Sequence, residues 1–400
     1  MAVTSPKNVK ESKVENADRS WIARPILSSE FTDDPTLEDV YVGLLKQKKD
    51  ISRAIKSISA VLPGFRHLKR CSSNKLLLTP VNTRELAKED SSVEYTLTEE
   101  RLKEVLNERG FNLSLLEENF QILRVPSRAA RTKVQAARSS KIWPVNFHPD
   151  PSIERLIDGS VFTEHQLDTI GRYMRVAVDA ARLEAVGDSN CNGSAVIVDP
   201  EDGRILAVAA SRIDQHPMWH AATLAVDLVA KLQGGGAWKL DGNTVESDSS
   251  GKREIEDYAT GEGTVKRKYV EEAPLYYPKS LSKINLPKEE PLVPTVARKG
   301  RNKDGSTKMC EQTDKCGPYL CTGYWAFSSK EPCPLCAMAL LHSRVSRIFY
   351  GVPNENTGVL GSRTILHAVP GLNHRYQVWS GVLEQECRQV LREIESRNID

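Results

Sequence analysis

Apolar positions recur along the chain in short periodic segments that form two series, separated by a stretch rich in basic residues. In the first series Val40-Tyr41-Val42-Gly43-Leu44 predicts a strand. Ile51, Ala54, Ile55 and Ile58, at three- and four-residue steps, predict a helix that Pro63-Gly64 stops. Leu68 to Cys71 and Lys75 to Leu78 read as two strands joined by Ser72-Ser73-Asn74. A second helix starts near Thr98, with Glu99 and Glu100 in its first turn where they suit the helix dipole, and ends at Gly110; Phe120 to Val125 is a last strand. The order βαββαβ predicts a small α+β domain of the split βαβ, or ferredoxin-like, pattern over 37–125, after a flexible N-terminus, 1–36.

From Pro126 to His148 the periodicity stops. Arg128, Arg131, Lys133, Arg138 and Lys141 appear with no acidic residue, and an aromatic tail follows, Ile142-Trp143-Pro144-Val145-Asn146-Phe147. This reads as a basic linker, 126–150. It is either an arm that tracks a phosphate backbone, each neutralised phosphate releasing counterions, or a solvated connector, the commoner fate of a charge run.

The second series, 151–400, opens with a capping box, Thr163-x-x-Gln166, and a long helix to about Leu183. Ser194 to Val198 and Arg204 to Val208 flank Asp199-Pro200-Glu201-Asp202-Gly203 and predict a strand hairpin. A helix carrying His220 follows and ends at Gly234-Gly235-Gly236. From 233 to 317 the chain is rich in Gly, Ser, Lys, Glu and Pro, which predicts a flexible insertion without packed structure. Tyr319 to Phe327 resumes as a strand, a helix opens at Cys333-Pro334-Leu335-Cys336, and Arg347 to Gly351 is a further strand. Helices and strands in this alternation predict a layered α/β domain.

Composition narrows the class. Forty per cent hydrophobic and 27% charged residues describe a globular protein of two domains, and a formal net charge of +2 means that any nucleic-acid surface is local. Residues 1–20 lack the apolar core of a signal peptide and mix acidic with basic residues, unlike a mitochondrial presequence; no stretch is apolar enough to cross a bilayer, so no membrane partner is expected. Eight cysteines, two of them in Cys-x-x-Cys, fit a reducing compartment, nucleus or cytoplasm.

The candidate chemistry lies in Trp219-His220-Ala221-Ala222 and Pro332-Cys333-Pro334-Leu335-Cys336. Nucleobase deaminases pair His-x-Glu with Pro-Cys-x-x-Cys: the His and two Cys hold zinc, and the Glu moves protons. Here His220, Cys333 and Cys336 supply the Zn2+ ligands, while the Glu position is Ala222, so no catalytic residue is assigned. The pair of cysteines has two other readings, half of a structural site with Cys310, Cys316 or Cys321, or a redox pair. Of the acids that stand near in sequence, Asp227 lies about 10 Å along the helix from His220, at about 1.5 Å per residue, and Glu331 is expected to face the strand-to-helix loop. A carboxylate from Glu393 to Asp400 is an expected occupant of the fourth zinc position. His342 reads as a packing or capping residue, Tyr324, Trp325 and Phe327 as core, and Asn373 to Tyr376 as either an RNA or partner contact or a solvated loop.

Glu331 to Arg344, with Ile348-Phe349-Tyr350-Gly351 and Thr357 to Ser362, resembles the tRNA adenosine deaminase branch of the cytidine deaminase superfamily. The missing Glu, the N-terminal extension and the ending His367-x-x-x-Gly371-Leu372-Asn373-His374 resemble the non-catalytic subunit family of the eukaryotic wobble-adenosine deaminase, over about 144–391 without the insertion. The resemblance implies a cytidine-deaminase-like three-layer α/β/α domain. It also implies a partner subunit with an intact His-x-Glu, a tRNA substrate, and conversion of the wobble adenosine to inosine by the heterodimer. Two departures stand out: the family often has valine where this chain has Ala222, and 113 positions separate His220 from Cys333 (333 − 220). The rival readings are a stand-alone deaminase of a free base or nucleoside, and a zinc-containing scaffold unrelated to RNA.

Overall fold

The computed structural model describes residues 19–83, 95–187, 191–240, 273–293 and 319–397. The chain divides into two compact units, one of residues 27–161 and one of 1–26 with 162–400. The first strand, β1 (Arg24–Pro25), belongs to the larger unit. The smaller unit then runs α1 (Ser29–Thr32), β2 (Leu37–Leu44), α2 (Ile51–Val61), β3 (Cys71–Ser72), β4 (Lys75–Pro80), β5 (Asn82–Thr83), β6 (Tyr95–Thr96), α3 (Glu99–Glu108), β7 (Gln121–Pro126), α4 (Lys133–Ile142) and α5 (Pro151–Ile157).

Four of these strands form an antiparallel sheet in the order β3-β4-β2-β7. Side chains alternate across a strand, and here both faces are covered. Tyr41, Leu76 and Leu78 pack with Ala54 and Ile58 of α2 and Leu102 and Leu106 of α3. Val40, Val42, Leu77 and Val125 turn the other way and pack with Trp143. The strand expected from Leu68 begins only at Cys71, and Leu68 instead makes an isolated bridge to Val145.

The basic stretch is therefore part of this unit and not a linker. Thr132 caps α4 by accepting from the Gln135 N–H, and the Gln135 amide donates to the carbonyls of Glu30 (3.0 Å) and Asp33 (2.5 Å). The Trp143 indole N–H donates to the Lys69 carbonyl at 2.7 Å. The apolar period missed α4 for a physical reason: the residues it buries are Gln135, Ala136 and Ser139, which are polar or small.

The larger unit continues with α6 (Glu164–Glu184), β8 (Ser194–Val198), β9 (Ile205–Ala210), α7 (Ala221–Leu232), β10 (Leu275–Tyr277), β11 (Trp325–Lys330), α8 (Pro334–His342), β12 (Arg347–Val352), β13 (Gln377–Ser380) and α9 (Glu384–Arg397). Its seven-stranded sheet has the order β1-β13-β12-β11-β8-β9-β10. Strands β8 and β9 form the expected antiparallel hairpin, β11 is antiparallel to β8, and β11, β12 and β13 are mutually parallel. The Ser194 hydroxyl donates to the Ala177 carbonyl of α6, whereas Ala195 and Ile197 join the core beneath α7 and α8. Adjacent residues of a strand point to opposite faces, so α6 lies on one face of the sheet and α7 on the other. The result is a mixed α/β unit.

Two expectations of flexibility change. Arg19 bridges Glu164 (2.9 Å) and Asp168 (2.7 Å), and β1 pairs antiparallel with β13, so residues 19–26 are anchored on this unit. Within the insertion, β10 adds a parallel edge strand beside β9 and buries Tyr277, and Leu281 is fully buried just beyond it. Three residues are too few to register as a period. The remaining insertion residues, 241–272 and 294–318, with Cys310 and Cys316, lie outside the described residues.

Candidate metal centre

Two helix N-termini bring the predicted ligands together. His220 is the N-cap of α7, in extended conformation, and leaves its own side chain free of any capping role. Its backbone is fixed on both sides: the Thr223 hydroxyl lies 2.7 Å from the Met218 carbonyl and 2.8 Å from that of His220, and the Arg212 N–H donates to the Trp219 carbonyl. Cys333 is the N-cap of α8, with Pro334 at the first helical position, where its missing N–H costs nothing. Cys336 follows on the same turn. The Cys333 Sγ stands 3.3 Å and the Cys336 Sγ 3.7 Å from His220 Nδ1.

The sequence reading missed Cys191. Its sulfur, His220 and Cys336 have donor atoms within 4.8 Å of one another, in a group able to hold a metal ion. Nothing in the local sequence marks Cys191: it is isolated, and only the fold brings the segment before β8 against the two helix starts.

The donor set suits zinc. For tetrahedral legs of about 2.0 Å to nitrogen and about 2.3 Å to sulfur, the N···S edge is about 3.5 Å. The observed 3.3 and 3.7 Å lie either side of that length. The groups are linked by hydrogen bonds that shift their proton affinities. Hydrogen bonding with Cys191, then Cys333, pushes the His220 imidazole up to about 10 against the effect of its burial. Hydrogen bonds from Cys191 and Cys336 hold the Cys333 thiol far below the usual thiol range, and Cys336 is pushed well above it by Cys191, by Cys333 and by burial.

No carboxylate joins the cluster among the described residues. Ala222, in the first turn of α7, is buried. Glu331 is also buried, but its carboxylate accepts from the backbone N–H groups of Asn354 (2.8 Å), Leu360 (2.8 Å) and Ser362 (3.0 Å) and from the Ser362 hydroxyl. It fastens the loop after β12, and that loop packs so closely that a Cβ on Gly358 would meet the Glu331 carboxyl at 2.3 Å. Asp227 accepts from the Ala237 N–H and pairs with Lys231 at 3.5 Å. The expectation that a C-terminal carboxylate closes the site is not met within the described residues: Glu393 lies on α9, paired with Arg182 at 3.1 Å. Residues 398–400 lie outside them.

The remaining candidates divide. His342 ends α8 and is exposed, where a basic side chain suits the helix dipole. Tyr324, Trp325 and Phe327 are buried. In the 373–376 stretch, His374 hydrogen-bonds the Val345 carbonyl in the turn after α8 (2.6 Å) and Tyr376 donates to that of Ala337 in α8 (3.3 Å), so the two residues hold the loop against α8 and the turn that follows it. Cys321 is buried as expected, in a turn and not mid-strand, and burial pushes its thiol up to about 12. Arg128, Arg131, Lys133, Arg138 and Lys141 are all exposed. Two already have acidic neighbours: Arg138 pairs with Asp34 (2.8 Å) and Arg131 with Glu30 (3.9 Å).

Comparison with known proteins gives the class. No family model matches the chain. It is 30% identical over 398 residues to a zebrafish (Danio rerio) protein named "Probable inactive tRNA-specific adenosine deaminase-like protein 3", covering 97% of this chain and 99% of the relative. It is 23% identical over 273 residues to the fission yeast (Schizosaccharomyces pombe) "tRNA-specific adenosine deaminase subunit tad3", covering 68% of this chain and 62% of the relative. A solved structure described as "Biochemical and Structural Studies of A-to-I Editing by tRNA:A34 Deaminases at the Wobble Position of Transfer RNA" aligns with a TM-score of 0.30 and 16% identity, covering 55% of this chain and 97% of that one. The chain belongs to the tRNA-specific adenosine deaminase-like protein 3 family, across nearly its whole length.

Proposed function

We propose that this chain is the non-catalytic, zinc-holding subunit of a heterodimeric tRNA adenosine deaminase that converts the wobble adenosine of tRNA anticodons to inosine. One observation supports the reading: the Cys333 and Cys336 sulfurs stand 3.3 and 3.7 Å from His220 Nδ1, and two residues after His220, where the His-x-Glu motif has its glutamate, the chain has a buried alanine, Ala222. In a working site of this type, zinc activates a water for attack on the base and a glutamate carries the protons. General acid–base catalysis contributes on the order of 10²–10⁴ in rate, and a methyl group supplies none of it. Neither Glu331 nor Asp227 is available as a substitute, because both are committed to the bonds given above. The partner must then bring the intact His-x-Glu, and the family name of the fission yeast relative, a subunit, agrees with that division of labour.

In this reading the larger unit is a cytidine-deaminase-like three-layer domain and the smaller unit a ferredoxin-like one that grips tRNA by shape and phosphate contacts. Arg128, Lys133 and Lys141 are the favoured contacts, since Arg131 and Arg138 have acidic neighbours. The heterodimer as a whole is the hydrolase, acting in the nucleus or cytoplasm. The test is deamination of a tRNA with adenosine at the wobble position by this chain, by a His-x-Glu subunit from the same source, and by both together. Inosine from the mixture only is expected; inosine from this chain alone would overturn the reading.

A further inference from the structure

We infer that Cys191 is a fourth protein ligand, which closes the metal centre of this chain as a one-imidazole, three-thiolate site. The inference rests on the zinc reading above and concerns how that zinc is held. Catalytic zinc sites keep three protein ligands and an open position for water, whereas structural sites are filled by four. Cys191 lies within 4.8 Å of the His220 and Cys336 donor atoms, and it comes from the segment before β8, not from either helix start.

The described residues on either side of Cys191 are fastened. Upstream, the Val186 N–H donates to the Ser211 carbonyl at 2.9 Å and the Ser211 hydroxyl returns to the Val186 carbonyl at 3.1 Å. Gly187 is required there, because a Cβ would meet the Cys191 carbonyl oxygen at 1.9 Å. Downstream, the Ser211 N–H donates to the Gly193 carbonyl (2.9 Å) and the Ser194 N–H to the Ser329 hydroxyl (3.0 Å). Between them Asn192 is fully buried, and its side-chain oxygen accepts from the Lys330 ammonium at 3.2 Å. Lys330 ends β11, three residues before Cys333, so the Cys191 segment and the Cys333 turn are cross-braced. A ligand held on rigid supports keeps its geometry, and metal uptake by four such groups would release the thiol protons to solvent.

Closure has a consequence for chemistry. With Cys191 in the fourth position, the zinc has no place for an attacking water, and this chain lacks a deaminase centre for two separate reasons, Ala222 and Cys191.

Zinc K-edge X-ray absorption on the full-length chain, purified with its metal, reads the sulfur count directly. Three sulfurs and one nitrogen are expected, falling to two sulfurs in Cys191→Ala. Alkylation with N-ethylmaleimide followed by mass spectrometry identifies which thiols the metal protects and needs no variant: Cys191, Cys333 and Cys336 should be modified only after chelation. Bound zinc with two sulfurs, or Cys191 alkylated while the metal remains, would overturn the inference and leave the zinc reading intact. Absence of bound metal would overturn both.

Discussion

Ala222 and Glu331 are both buried, and only Glu331 carries a carboxylate, which holds a loop. Ala222 sits where helix α7 and its neighbours leave room for a methyl group. Ala222→Glu should therefore bury an unpaired carboxylate, lower stability by about 2–4 kcal/mol in urea unfolding, and yield no inosine from this chain alone. Glu331 accepts three backbone N–H groups, and its replacement by glutamine would turn an NH2 toward some of them. Charge-assisted hydrogen bonds are worth about 1.5–3 kcal/mol each, and an unmatched buried donor adds its desolvation cost. Glu331→Gln should cost about 2–4 kcal/mol and speed amide exchange in 354–362 most. An unchanged urea midpoint would remove the role assigned here. His220, Cys333 and Cys336 were legible because their spacing and flanking prolines belong to the residues themselves. Cys191 was not, because a single cysteine acquires meaning only from what a distant helix start brings beside it.

At the level of elements, long amphipathic segments read well and short or polar ones did not. Helices α2, α3 and α6 and the β8–β9 hairpin follow the apolar period closely. Helix α4 escaped it because the bonds of Gln135 and the indole of Trp143, not a stripe of aliphatic side chains, hold it in place. Trp143→Ala should then unfold the smaller unit more easily, by about 3–5 kcal/mol, seen as a lower first transition in thermal unfolding. If 126–150 behaved as a linker, that transition would not move. The loop before β13 carries a pH dependence. His367 hydrogen-bonds the Ile26 carbonyl through Nε2 at 3.0 Å, its buried Nδ1 has no partner among the described residues, and desolvation, aided by the nearby Arg375, depresses its pKa. The unfolded chain then takes up this proton before the folded one does as pH falls below about 6.5, so stability declines with acidification. His367→Gln should flatten the fall in urea midpoint between pH 7 and pH 5; an identical slope would show that His367 does not contribute.

For the molecule as a whole, the proposed reading is a deaminase scaffold without the group that moves protons. Two helix starts still converge on His220 and the two cysteines, a sheet still supports them, and the family relationship spans nearly the full chain. Family membership was legible from the Cys333 and His220 motifs. The packing of the basic stretch and of 273–293 was not, since both depend on tertiary partners. The central claim is that catalysis resides entirely in the partner. It is tested most directly by mixing this chain with a His-x-Glu subunit whose glutamate is changed to alanine and measuring inosine in a wobble-adenosine tRNA. The account predicts none above the background of tRNA alone, with full activity restored by the unaltered partner; inosine formed by the mixture with the altered partner would contradict it.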